Sequence, residues 1–357
     1  MRILHLYRPS LPGLRAQAIQ VVHTCHALAL RGHEVTLLAD RAPGAGTAAG
    51  ALRALGLAPH PRLDLRLAPL RQRGLAGLWF RRALAGWWAG PPGVVLARDK
   101  GRLVAAARHH PRRHRVVLES HELDSLLAEE AGREAGAVRA LEADAARVAD
   151  ALVTNCGGTL AAWEGAGLDL PERRAVVHNG TAVRPLPGSA PSPVIRCVGS
   201  LRAYKGVEDI RAAAPSLPLP LHWTGGTAAE RASQAPVENL HLEPPVPHPE
   251  VAALLADAQV VLVPLADNVF GRQLTSPLKL WDALAAGRPV VAPDLPTVRE
   301  VAALASRPLY TWAPGDPAGL AAAVEQARRA PTPAPFVRSW DARAAALEAV
   351  FEQLEAP

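Results

Sequence analysis

Twice along this chain, short apolar runs alternate with stretches of helical period, and one proline-rich segment separates the two series. Residues 2–7 (Arg-Ile-Leu-His-Leu-Tyr) read as a buried strand, and Pro9 to Gly13 as a loop. Residues 15–31 carry apolar side chains at Ala18, Val21, Val22, Cys25, Leu28 and Ala29, a helical period stopped by Gly32. Glu34-Val-Thr-Leu-Leu-Ala39 is a second strand, which makes a βαβ unit, the opening of a doubly wound sheet. Apolar runs at 94–97, 116–118, 151–154 and 175–178 continue the pattern, with a helix predicted at 133–149. Val183 to Pro193 then holds four prolines, a glycine and two serines, the composition of a linker. Beyond it the pattern restarts, with strands at 194–198, 221–224, 240–242, 260–263 and 289–292. Helices are predicted at 206–214, 249–257, 277–286, 317–329 and 340–355. The fold class is therefore α/β, with two Rossmann-like parallel-sheet domains facing across a cleft at the carboxyl ends of their strands. The boundaries predicted are 1–183, a linker at 184–193, a second domain at 194–335 and a C-terminal helical segment at 336–357 that packs back on the first domain.

Composition excludes several classes. With 357 residues, 49% hydrophobic and 20% charged, the chain can bury a large core, which argues against disorder. Cys25, Cys156 and Cys197 are too few and too far apart for a disulfide framework or a zinc site, so a reducing cytoplasm is expected. No apolar run reaches the roughly 18 residues of a membrane span, and the first residues do not read as a signal peptide. The net charge of +6 fits an anionic partner or an arginine-rich composition equally well. Arginine has replaced lysine except at Lys100, Lys205 and Lys279, which hints that a compact ammonium is wanted at those positions.

Two stretches carry chemistry. In Ser276-Pro-Leu-Lys-Leu-Trp-Asp282, Ser276 reads as a helix cap with Pro277 at the first helical position. A helix start of this kind presents free N–H groups to an anion. Lys279 in the first turn opposes the helix dipole, and Asp282 lies one turn on along the same face. A phosphate at the helix start with a ribose on Asp282 is one reading, and an ordinary capped helix with a surface lysine is the other. In Gly199-Ser-Leu-Arg-Ala-Tyr-Lys-Gly206, Arg202 and Lys205 project from a strand-to-helix loop. They would hold a diphosphate and stabilise its charge on departure, or form a solvated basic loop.

Together the two stretches, with Ala285-Ala-Gly-Arg-Pro-Val-Val291 and Asp294-Leu-Pro-Thr-Val-Arg-Glu300 following, resemble the retaining glycosyltransferases of family 4, which have the GT-B fold. Ala16-Gln-Ala-Ile-Gln20, Arg31-Gly-His-Glu-Val35, Val95-Leu-Ala-Arg-Asp99, Glu119-Ser-His-Glu122 and His178-Asn-Gly180 extend the resemblance over the first half. The resemblance implies a nucleoside-diphosphate-sugar donor, a glycan, glycolipid or small-molecule acceptor, and no cofactor, metal or nucleic acid. His121, Arg202 and Lys205 would be the catalytic residues, with His121 near the transferred sugar. Gly13, Gly199, Ser276, Pro277, Leu278, Lys279, Asp282 and Glu300 would bind the donor. The chain departs from the family in three places: Leu274 stands where a donor-contacting Glu is usual, eight residues before Asp282, Ser200 stands where an Arg is usual, with Arg202 as a substitute at a different spacing, and the usual glycine pair near the first loop is reduced to Gly13. A nucleotide-sugar epimerase on the same fold and a non-catalytic sugar-nucleotide-binding protein are the alternatives. An oxidoreductase is disfavoured, because Tyr7 to Gly13 offers one glycine in place of Gly-x-Gly-x-x-Gly.

Other features have plainer readings. His23, His26 and His33 are expected at the surface or the core edge, and the basic run Arg108 to Arg115, with His109, His110 and His114, as a solvated face. Residues 75–88 hold three tryptophans beside arginines and read as a packed helix, peripheral contact with the inner membrane face being the other possibility.

Overall fold

The computed structural model describes residues 1–13, 15–69, 73–109, 113–186, 190–202 and 205–355. The chain forms two compact units, Met1–Gly180 with Ser339–Pro357, and Thr181–Arg338.

The first unit is built on β1 (Arg2–Leu6), β2 (Ser10–Leu11), β3 (Glu34–Arg41), β4 (Leu63–Leu67), β5 (Val94–Ala97), β6 (Arg115–Ser120), β7 (Ala151–Thr154) and β8 (Arg173–Val176). The sheet runs β4-β3-β1-β5-β6-β7-β8, with β2 beside the end of β3, and its pairings are parallel. Its helices are α1 (Ala16–Leu30), α2 (Ala48–Arg53), α3 (Arg73–Trp88), α4 (Lys100–His109), α5 (Asp124–Glu130), α6 (Gly136–Val148) and α7 (Gly157–Gly165). Both faces of the central strands are covered, so β5 and β7 are buried at every residue and read as unbroken apolar runs. The edge strand β4 alternates instead: Leu63 and Leu65 are buried while Asp64 and Arg66 are exposed. The order reverses at β1, so the carboxyl ends of β1 and β5 flank the point where loops depart in opposite directions.

The second unit repeats this plan. Strands β9 (Ser192–Val198), β10 (Leu221–Thr224), β11 (Leu240–Glu243), β12 (Ala258–Leu262), β13 (Val290–Pro293) and β14 (Tyr310–Trp312) run in the order β11-β10-β9-β12-β13-β14, again with parallel pairing. Its helices are α8 (Val207–Ala213), α9 (Ala228–Ala232), α10 (Val251–Ala256), α11 (Val269–Gln273), α12 (Leu278–Ala286), α13 (Pro296–Leu304) and α14 (Pro317–Arg329). Trp223 and Trp281, both fully buried, belong to two separate apolar clusters. The unit begins at Thr181, before the proline-rich run, and β9 already starts at Ser192 within it.

After the second unit the chain returns to the first as α15 (Trp340–Glu355). Trp340, Arg343, Ala344, Leu347, Val350, Phe351 and Leu354 form its buried stripe, at the spacing expected of an amphipathic helix. Arg343 is fully buried within that stripe. It donates through Nε to Thr24 Oγ1 (3.1 Å), through one terminal nitrogen to the carbonyls of Val177 and His178, and through the other to Glu119. Trp340 stacks on His23 with ring centroids 5.4 Å apart. At the surface, Arg31 pairs with Glu348 and Asp341, and His33 with Glu348 (2.9 Å). His23 and His33 are therefore buried in the α15 interface. No helix among the described residues is long and apolar enough to cross a membrane.

The basic run differs from expectation. His114 is 3% exposed, donates to the Trp88 carbonyl (2.8 Å) and packs against the rings of Trp87 and Trp88. Burying two indoles at the end of α3 takes this imidazole in with them. Arg108 is exposed and pairs with Asp144, while His110 and the side chain of His109 lie outside the described residues. Trp87, Trp88, Phe80 and Leu84 bury one side of α3, and Leu75 and Leu78 remain exposed.

Arg343→Met leaves Glu119 buried without its counter-charge and is expected to lower stability by about 3–5 kcal/mol. Arg31→Ala removes only a surface pair and is expected to cost under about 1 kcal/mol. Urea unfolding of the two variants checks the contrast.

Candidate functional site

In the second unit, chemistry gathers at the switch point between β9 and β12. Gly199 ends β9 with φ +142°, and Gly225 follows β10 with φ +141°. A Cβ on Gly225 would lie 2.3 Å from the Gly199 carbonyl oxygen, and one on Gly199 would lie 2.3 Å from Cε and Nζ of Lys279. Trp223 Nε1 donates to the Gly199 carbonyl (3.0 Å) and holds this backbone in place. At the far end of the same loop, Gly206 (φ +73°) lies against the Leu265 carbonyl, so the loops after β9 and β12 touch. Lys279, Gly199 and the start of α12 thus meet where the strand order reverses.

The helix start differs from the sequence expectation. Pro277, extended at ψ 113°, is the N-cap, and α12 begins at Leu278. Ser276 lies one residue outside, where its hydroxyl accepts a hydrogen bond from Trp281 Nε1 (2.9 Å) rather than capping the helix. A buried indole N–H needs an acceptor, and Ser276 is one turn away from Trp281. The Pro277 carbonyl accepts from the amides of Leu280 and Trp281, which leaves those of Leu278 and Lys279 without intrahelical partners.

Lys279 keeps part of its stem exposed, but its Nζ is buried and has no hydrogen-bond partner among the described residues. Burial lowers its pKa, only partly opposed by the Cys197 thiol nearby. An ammonium held this way costs several kcal/mol unless an anion joins it. Asp282 is one turn on. Burial pushes its pKa up to about 6, although the Thr181 hydroxyl donates to it at 2.5 Å.

Arg202, Lys205 and Glu300 are the remaining predicted residues of this unit. Arg202 is half-exposed, its Nε 3.3 Å from Glu230, the same carboxylate that closes the capping box of α9 with Thr227. Lys205 has its Nζ 4.8 Å from the centre of the Phe270 ring on α11. Residues 203–204 between them lie outside the described residues. Glu300 is partly buried on α13, and its neighbour Arg299 pairs with Asp294 (2.6 Å). Leu274, at the end of α11, is fully buried.

The first unit brings together a second polar group at the ends of β1, β5 and β6. Glu119 is 1% exposed and accepts from Gln20 Nε2 (2.9 Å), His121 Nε2 (2.7 Å) and Arg343. His5 Nε2 stands 3.2 Å from its other oxygen, close enough for electrostatic attraction but not aligned for a hydrogen bond. Burial alone would raise the pKa of Glu119; Arg343 and the imidazoles of His121 and His5 hold it well below the usual carboxylate range. His121 is pushed down to about 3, by burial first and by Arg98 next, so the ring is neutral at neutral pH. Arg98 donates to Gln20 Oε1 (2.6 Å) and lies over the Tyr7 ring. Gly13 lies against the Ser10 carbonyl, which a Cβ would approach to 2.6 Å. Reading the sequence missed the roles of Glu119, Gln20 and Arg343. An arginine on the apolar stripe of a terminal helix was the available signal for Arg343.

Sequence models of two families match the chain: Glycosyltransferase Family 4 over residues 7–184, and Glycosyl transferases group 1 over residues 192–329. The chain belongs to glycosyltransferase family 4. The two matched segments fall almost wholly one in each unit of the glycosyltransferase. Its fold is GT-B, as solved structures similar along nearly the whole chain indicate. Sucrose-phosphate synthase from Thermosynechococcus elongatus is 17% identical with a TM-score of 0.71, over 99% of this chain and 97% of that one. Anabaena HepE, solved in complex with UDP-glucose, is 15% identical with a TM-score of 0.66, over 99% of both chains. WaaG, a glycosyltransferase involved in lipopolysaccharide biosynthesis, is 16% identical with a TM-score of 0.62, over 98% of this chain and 95% of that one. No curated protein matches by sequence.

Two predictions follow from the second unit's geometry. Gly199→Ala places a methyl group on Lys279 and a non-glycine residue at φ +142°, so a loss of about 1–3 kcal/mol is expected in urea unfolding. Asp282 has a folded pKa above that of the unfolded chain, so its contribution to stability is complete below about pH 4 and is lost as pH rises through about 6. Asp282→Asn keeps an acceptor for Thr181 without the charge. It is expected to raise the melting temperature of the ligand-free protein at about pH 8, by on the order of 3 kcal/mol in stability, and to change it little near pH 4.

Proposed function

We propose that this glycosyltransferase takes a hexose from a nucleoside-diphosphate sugar and transfers it with retention of anomeric configuration. The observation that carries the reading is Lys279: a buried ammonium without a partner among the described residues, beside two backbone amides at a helix start that lack intrahelical partners and a glycine whose missing side chain leaves room for it. The ligand that satisfies all three is a phosphate. Asp282 on the same helix is assigned to the ribose hydroxyls, and Arg202 and Lys205 to the diphosphate. Ser276, Pro277 and Leu278 shape the phosphate end, and Glu300 lines the donor side. His121 is assigned to a hydroxyl of the sugar or acceptor. The UDP-glucose bound to HepE supports a donor of this class.

In the reaction, the bond from C1 of the sugar to the phosphate oxygen breaks and a bond to the acceptor oxygen forms on the same face. The acceptor proton passes to the departing phosphate. Positive groups held in place before the reaction lower the barrier by stabilising the charge that collects on the diphosphate. Lys279, Lys205 and Arg202 fill that role in this reading, and no divalent cation is assigned. A cell-surface glycan or glycolipid, met in the cytoplasm or at the inner membrane face, is the proposed acceptor, and the description of WaaG supports it. A second reading, binding without transfer, rests on Leu274: its side chain is in the core and leaves no carboxylate there for the donor sugar.

Thermal melting against UDP, GDP, ADP and CMP, with and without EDTA, tests the donor site. Stabilisation by one nucleoside diphosphate, unchanged by EDTA, is expected; about 2.7 kcal/mol corresponds to ligand at 100 times Kd. Lys279→Met is expected to abolish this stabilisation while leaving the ligand-free melting temperature unchanged or higher, because the buried charge is gone. Lys205→Ala is expected to lower kcat/KM by on the order of 10²-fold. Wild-type kinetics in that variant would overturn its assignment.

A further inference from the structure

We propose that Glu119 positions His121 so that the ring carries its proton on Nε2 and presents a bare Nδ1 as a hydrogen-bond acceptor, with Arg343 of α15 as the counter-charge that holds Glu119 there. One oxygen of Glu119 faces Gln20 Nε2 (2.9 Å), His121 Nε2 (2.7 Å) and Arg343. A carboxylate only accepts, so each of these nitrogens must bring a hydrogen. Gln20 cannot turn its amide round, because its Oε1 already accepts from Arg98 (2.6 Å). Arg343 is held at three further points, Thr24 Oγ1 and the carbonyls of Val177 and His178, so the carboxylate cannot follow the imidazole elsewhere. Burial and the facing Arg98 guanidinium oppose a second proton on the ring. With its one proton on Nε2, the neutral imidazole has a lone pair on Nδ1.

That Nδ1 has no partner among the described residues, and the side chain is 8% exposed. An acceptor at this place selects a ligand group that donates, which for a sugar is a hydroxyl. This last step rests on the proposed function; the tautomer itself does not. Glu119 and Arg343 act through His121 and are positioning residues.

The test is the ¹⁵N spectrum of histidine-labelled full-length protein, with the His121 signals assigned by their loss in His121→Asn. The proposal expects one tautomer in the wild type, protonated at Nε2, and a mixture in Glu119→Gln, where the carboxamide can donate as well as accept. A wild-type ring protonated at Nδ1, or an unchanged ring in Glu119→Gln, would overturn it. If Glu119→Gln does not fold, Glu119→Gln with Arg343→Met removes both buried charges and is read in the same way. In a transfer assay Glu119→Gln is expected to lose roughly 10²-fold in kcat with little change in donor KM; a wild-type kcat would also count against the proposal. Nucleotide-induced stabilisation is measured in parallel. Its absence from the wild type would sink the donor reading and leave the tautomer result standing.

Discussion

Parallel pairing in both sheets is the constraint from which the sites follow. Parallel neighbours cannot be joined by a hairpin, so each strand is reached by a crossover, and crossovers of one hand force the order to reverse when the chain changes direction across the sheet. In the first unit the reversal lies between β1 and β5, and in the second between β9 and β12. At such a point no crossover covers the carboxyl ends of the two central strands. His5 and Arg98 stand at the first, and Gly199 with the loop at Leu265 at the second. Residues distant in sequence, Gln20 and Glu119 or Gly199 and Lys279, meet because this geometry brings their loops to one place.

The two sites handle buried charge in opposite ways. Glu119 is surrounded by donors, among them a guanidinium that comes from the last helix of the chain. Removing either partner exposes the other to the full cost of burial, so the pair ties α15 to the sheet more firmly than the surface pairs of Arg31 do. In the second unit Lys279 has no such partner among the described residues, and Asp282 accepts from the Thr181 hydroxyl. In the first arrangement the protein itself supplies the counter-charge. The second is the one the proposed function assigns to the donor.

The fold class was legible because both sheets are covered on both faces, which makes their central strands unbroken apolar runs. Two of the strands that reading missed lie where this condition fails. β4 alternates apolar and charged residues as a one-sided edge strand, and β14 is three residues long at the opposite edge of its sheet. The candidate site was legible where it is local in sequence, as in the segment from Ser276 to Asp282, although the cap moved to Pro277 because Trp281 claimed the Ser276 hydroxyl. Glu119 and Arg343 lie more than two hundred residues apart. No spacing rule links them, and only the position of an arginine on the apolar face of α15 hinted at a buried partner.

Two of the three lysines, Lys100 and Lys279, bear on what the sites require. Lys100 donates to Asp124 (2.7 Å), Glu142 (2.7 Å) and the Glu122 carbonyl (3.2 Å), three acceptors around one ammonium, a geometry that a flat guanidinium cannot fill. Lys279 lies so close over Gly199 that even a methyl group would collide with it, and the broader guanidinium of arginine would have to displace the backbone that Trp223 holds. The ammonium also tolerates burial better, because its pKa can fall, whereas arginine stays charged at any accessible pH. In a chain that uses arginine nearly everywhere else, lysine survives where a compact cation must be enclosed. At Lys100 the protein supplies the anions, and at Lys279 no anionic side chain among the described residues meets the ammonium.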